Sequence, residues 1–202
     1  MDDAKIRLSP EEMELVSNAQ LILTKNLIIE KIIQFFSVIQ GRMQPLLFSH
    51  KWLPAEILES SPKISKGENY KGLPWVVLDY PRYFEKENVF AMRTLFWWGN
   101  FFSCTLHLSG EYKLMYEKNI INSFDQLKNN GVFICINEEQ WQHHFETNNY
   151  MSIAGTSSLQ FEDAIAKKPF IKLAQKIPIE QWNDVEKKLT AIFSQLINTL
   201  KN

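Results

Sequence analysis

Glycine is scarce in this chain: seven residues in 202, with no GxGxxG and no GxxxxGK[ST] spacing among them. Backbone cradles for dinucleotide or nucleotide phosphates therefore have no sequence basis. A GxSxG nucleophile elbow and an HExxH zinc motif are also missing, so the familiar hydrolase, kinase and dinucleotide-binding signatures are all absent. Nothing in the chain names a cofactor, and none is expected. Cysteine is rarer still. The two present, Cys104 and Cys135, fall in expected strands and read as buried free thiols of a reducing compartment. Charge of one sign is lacking: 22 basic and 23 acidic residues leave a net charge of −1. That balance has no basic stripe to neutralise phosphates, so no nucleic-acid partner is expected. No run of about 18 apolar residues exists to span a bilayer. The opening MDDAKIRLSPEEMEL is acidic and polar where a secretory leader would be basic and then apolar. The expectation is a cytoplasmic protein with no membrane partner.

What the chain has is apolar and aromatic material, 45% and 13% of its residues. That is enough for a core without disulfides. It concentrates in Glu87–Gly110, ENVFAMRTLFWWGNFFSCTLHLSG, which reads as a β-hairpin apolar on both faces. Such a hairpin belongs in the middle of a sheet. Taking Gly99-Asn100 as a two-residue turn pairs Trp98 with Phe101, Thr94 with Thr105 and Arg93 with Leu106. One face then carries Thr94, Trp98, Phe101, Thr105 and His107 among other aromatics, the composition of a pocket wall. The other face reads as core with one arginine in it.

Around the hairpin, Ser9-Pro10-Glu11-Glu12 is a helix start with a capping box. Helical periodicity runs over 9–40, with a break near Ser17-Asn18 or Lys25-Asn26, and ends at Gly41. Residues 41–73 carry enough proline and glycine to read as an irregular covering stretch with a short helix near 54–59. A strand over 75–80 stops at Pro81. A helix follows over 112–129, then a strand over 132–136 and a short helix over 138–145 capped by Asn137. A polar loop over 146–149 leads to Tyr150–Ala154, which Gly155 breaks. A second capping box, Ser157 with Gln160, opens another helix. A strand over 170–177 leads into a last helix from Pro178 to about Leu200. The expected fold is α+β: a mostly antiparallel sheet built around the hairpin and packed by N-terminal, middle and C-terminal helices, as one domain over 1–202.

The chemistry-bearing candidates follow from this layout. Arg93 in an apolar row needs a partner, because an unpaired buried charge is costly; Asp79 or an anionic ligand would serve. Asp79 also stands near Arg82 at a strand end. His107 is either a hydrogen-bonded core histidine or a ligand-binding one. Glu139 and His143, four apart on the expected helix, are the nearest approach to metal-ligand spacing, but they supply two donors at most and no metal is expected. The candidate ligand-binding set is Asp79, Arg93, Thr94, Trp98, Phe101, Thr105 and His107. The functional expectation is a non-catalytic binding or interaction protein whose aromatic-lined pocket takes a small molecule or a protein partner. The alternative is an enzyme, of hydrolase type, using His107, Asp79 and Arg93. Oligomeric state is not readable from one chain.

Overall fold

A computed structural model describes residues 6–201. Ser9 caps helix α1 (Pro10–Ser17) with the reciprocal Glu12 bond of a capping box. Asn18 breaks the helix and caps α2 (Ala19–Ser49) through Leu21 N. α2 does not end at Gly41. It runs two more turns, through Pro45, because Ile29, Ile32, Phe36, Ile39, Met43 and Leu47 form one buried stripe that spans the proline. Proline costs about 3 kcal/mol in a helix interior, and burial of Met43 and Leu47 beyond Gly41 offsets it. The stretch 41–73 is accordingly not irregular. It holds the end of α2, a single turn α3 (Ala55–Leu58) and strand β1 (Lys63–Tyr70).

A two-residue turn, Lys71-Gly72, with positive φ at both positions joins β1 to β2 (Leu73–Glu85). Then come β3 (Asn88–Trp97), β4 (Phe101–Ser109), α4 (Glu111–Asn122), α5 (Phe124–Asn129), β5 (Phe133–Cys135), β6 (Tyr150–Ser152), α6 (Ser158–Ala166), β7 (Phe170–Pro178) and α7 (Val185–Asn198). The helix expected over 112–129 is thus two, divided at Ser123. The last α-helix starts later than Pro178, after a 3₁₀ segment over Ile179–Asp184. Among the described residues the strands form one seven-stranded antiparallel sheet in the order β1-β2-β3-β4-β7-β5-β6, with β4 at its centre. The α+β class and the central hairpin are as the sequence implied. No helix among the described residues is long and apolar enough to cross a membrane.

The hairpin register differs from expectation by one residue. Trp97 pairs with Phe101, Arg93 with Thr105 and Thr94 with Cys104. Trp98 belongs to a three-residue connection with Gly99 and Asn100 instead of closing the ladder. A one-residue slip turns every side chain of one strand to the other face. Phe90, Met92, Thr94 and Phe96 therefore share a face with Phe102, Cys104, Leu106 and Leu108. That is the face covered by α2, α4 and α7, and it holds the main core. Arg93, Leu95 and Trp97 share the opposite face with Phe101, Ser103, Thr105 and His107.

Strand β2 does not stop at Pro81. Between the pairs Asp79↔Arg93 and Arg82↔Ala91, β2 advances three residues and β3 two. This bulge takes up Pro81, where a central ladder would otherwise lose an N–H donor. Its consequence is directional: it turns Arg82 and Phe84 to the same face as Asp79, although their numbers differ from Asp79 by odd steps.

Candidate functional site

The face turned away from the main helical layer is crossed by residues 136–149, which link β5 to β6. The helix expected over 138–145 is absent. These residues are turns, bends and irregular chain, because the sheet supplies partners to their polar groups. The Tyr70 hydroxyl accepts from His143 N at 2.7 Å and His144 N at 3.1 Å. Lys172 Nζ donates to Gln142 O at 2.6 Å. His107 Nε2 lies 2.9 Å from Gln140 Oε1. With backbone and side chains already partnered this way, the segment gains nothing by coiling. The Glu139–His143 spacing therefore carries no helical face.

Between this crossing segment and strands β1, β2 and β3 lies a cavity of about 550 Å³. Its floor is a hydrogen-bonded chain of three side chains. Arg93 Nε and Nη2 donate to the two carboxylate oxygens of Asp79 at 2.7 and 2.9 Å. Both groups are largely buried, with side-chain exposures of 18% and 8%, so this is a bidentate pair held away from bulk water. The remaining Arg93 nitrogen, Nη1, lies 3.2 Å from His143 Nε2. A guanidinium only donates, so this imidazole nitrogen accepts and the neutral ring carries its proton on Nδ1. Burial, reinforced by Lys172 and Arg93, holds His143 well below the usual imidazole range.

The aromatic walls come from Trp75, Tyr70, Phe84 and Trp141. Trp75 pairs with Gly67 across the β1–β2 ladder, and its indole lies where a Cβ on Gly67 would fall, 2.6 Å from the ring. A side chain at 67 would push the indole away. The Trp97 indole donates to Tyr70 O at 3.2 Å, with the two rings packed edge to face. At the other end Phe84 and Trp141 lie with centroids 6.2 Å apart, and the Arg93 guanidinium stands 5.7 Å over Trp141.

The sequence-derived candidates divide on this geometry. Asp79 and Arg93 line the cavity. Thr94 is on the helix-covered face, beside Cys104, whose thiol burial pushes up to about 12. Trp98 packs toward the main core, 6.3 Å from Phe96. Phe101 is on the cavity's face of the sheet but packs on Phe145 at 5.1 Å. Thr105 is buried and pairs with Arg93 in the ladder. His107 is buried between Trp141 and Phe170. Because Gln140 Oε1 can only accept, the neutral His107 ring carries its proton on Nε2. Burial, with Lys172 nearby, lowers it to about 3. Of the expected pocket wall of Trp98, Phe101, Thr105 and His107, none lines the cavity.

Sequence reasoning missed Lys63, Ser65, Asn69 and Tyr70, since β1 was not recognised, and Trp75 and Phe84, which had no assigned partner. Lys71-Gly72 followed by Leu73-Pro74-Trp75-Val76-Val77 was the available signal: a two-residue hairpin turn opening a strand. Buried Lys172, lowered to about 8 by desolvation, was also missed; it holds the crossing segment down and does not line the cavity. No family model, curated protein or solved structure matches this chain.

Proposed function

We propose that this chain is a non-catalytic cytoplasmic binding protein whose small-molecule ligand occupies the cleft between β1–β3 and residues 136–149. The observation that carries this reading is the floor of the cleft. Asp79, Arg93 and His143 hold one another in place through three hydrogen bonds, so the groups form a fixed polar base under aromatic walls, the usual make-up of a binding pocket. A hydrolase built on His107, Asp79 and Arg93 has less support. Both Asp79 oxygens are engaged by Arg93, and His107 is turned to Gln140. An imidazole lowered to about 3 is also a weak base at neutral pH. No nucleic-acid or membrane partner enters this reading.

Tryptophan fluorescence titrated against a library of small metabolites tests it, with Trp75→Phe and Trp141→Phe identifying the reporting ring. A ligand whose signal is lost in one of these variants is the expected result. Failure of every compound at millimolar concentration, in a protein that melts cooperatively, would reject the cleft as a binding site.

A further inference from the structure

Resting on that reading, we infer that the ligand is an anion: an apolar, flat body bearing a carboxylate or a phosphate ester. Most hydrogen-bonding acceptors lining the cleft already have partners within the protein. The one carboxylate in the lining, Asp79, has both oxygens occupied by Arg93. The Asn69 Oδ1 acceptor is taken by Gly72 N at 3.1 Å, which leaves its amide Nδ2. His143 Nε2 is taken by Arg93, which leaves the Nδ1–H. Arg82 spends only Nε, on Ser61 O at 2.9 Å, and keeps both terminal nitrogens. Among the described residues, neither Arg82 nor Lys63 has a carboxylate within salt-bridge distance. Tyr70 Oη already accepts from His143 N and His144 N and donates to Gln142 Oε1. Of the lining side-chain acceptors the neutral Ser65 hydroxyl is left, and it can equally donate. The charged acceptor of this wall is thus consumed internally and its cationic donors remain.

Register places the two uncommitted cations together. Lys63 is the ladder partner of Asp79 on β1, and the β2 bulge turns Arg82 to the same face. With Arg93 they make three cations against one carboxylate in the lining. A ligand acceptor of full negative charge would meet charge-assisted donors there, while a cationic ligand would find no free carboxylate. The body of the ligand lies against the aromatic walls, where a planar ring system buries most surface at least conformational cost.

The test is calorimetric titration of the whole chain with three probes sharing one ring system: 2-naphthoate, 2-naphthyl phosphate and the neutral 2-naphthamide. At least one anion is expected to bind about tenfold or more tightly than the amide. That preference should shrink to within about twofold in Lys63→Met/Arg82→Met, and in the unaltered protein when salt rises from about 50 to about 500 mM. The two anions distinguish a carboxylate from a phosphate-ester ligand. Equal binding of the amide and both anions would overturn the anion assignment and leave the cleft reading standing. An anion preference untouched by both the double substitution and salt would overturn the assignment to Lys63 and Arg82. Absence of binding by all three at millimolar concentration would overturn the inference, while the cleft reading falls only if the metabolite library also yields no binder.

Discussion

At the scale of single residues, the cavity's face of the sheet is a case of charge and imidazole held under protein. Arg93 is tolerated there because Asp79 takes two of its donors and His143 a third; removing Asp79 would leave a desolvated charge, and removing His143 an unpaired donor. His107 shows the same logic through pH. In the unfolded chain its imidazole takes a proton below about 6.5. In the folded chain burial postpones that to about 3. The unfolded state therefore binds more protons between these values, and stability falls as pH drops through that window and levels off below it. Between pH 7 and pH 5 the single group is worth about 2 kcal/mol. Urea unfolding of the wild type and of His107→Gln at both pH values measures it. The wild type is expected to lose about 2 kcal/mol more than the variant on going to pH 5. His143, shifted in the same direction, leaves some acid sensitivity in both. Equal losses in the two proteins would mean that His107 is protonated in the fold.

At the scale of elements, what decides the site is how strands are joined. Gly110 connects β4 to α4 at φ +56, and a Cβ there would stand 2.1 Å from Asn88 Oδ1 and 2.9 Å from Glu87 O. That Asn88 oxygen accepts from Glu111 N at 3.0 Å, so it caps α4 from the first residue of β3. Gly110→Ala adds left-handed strain to a clash with backbone and evicts the cap. A loss of about 3 kcal/mol in chemical denaturation is expected; a loss under about 0.5 kcal/mol would show that the connection relaxes freely. Local signals of this kind were legible in sequence: both capping boxes, at Ser9 and Ser157, form as read. The hairpin's position was legible because its apolar residues lie on both faces. Its register was not, because placing Trp98 inside the turn or in the ladder leaves the local pattern unchanged and only the covering layers decide. Pro81 reads as a stop because a bulge and a strand end look alike along one chain. β1 escaped notice because it is a polar edge strand, KISKGENY, with no apolar alternation. The crossing segment escaped because its conformation is set by Tyr70, His107 and Lys172, residues far from it in sequence. Hence two of seven candidate residues, Asp79 and Arg93, reach the cavity.

At the scale of the whole molecule, burial is distributed unevenly, and stability should follow it. In β4 every residue from Phe102 to Ser109 is buried, with helices on one side and the crossing segment or its neighbours on the other. α1 buries none of its residues, and the first buried side chain of α2 is Ile29, ten positions beyond its start at Ala19. A helix that buries nothing rests on its own hydrogen bonds and caps, which for eight residues are marginal in water. The sheet centre, by contrast, opens only when most of the core does. Native-state hydrogen exchange is therefore expected to be graded. Amides of α1 and of residues 19–28 should exchange first, and those of β3, β4 and β7 last, slower by a factor of about a thousand or more. The crossing segment is tied down chiefly by Lys172, His107 and Tyr70, so it should open before the strands it covers, which is how a ligand would reach the cleft. Exchange of residues 136–149 at the same rate as β4 would show that the segment opens only with global unfolding, and entry would then have to come from the β1 edge. Protection of α1 equal to that of β4 would mean that its apolar side chains, Met13, Leu15 and Val16, each more than half exposed in the chain alone, are covered in solution.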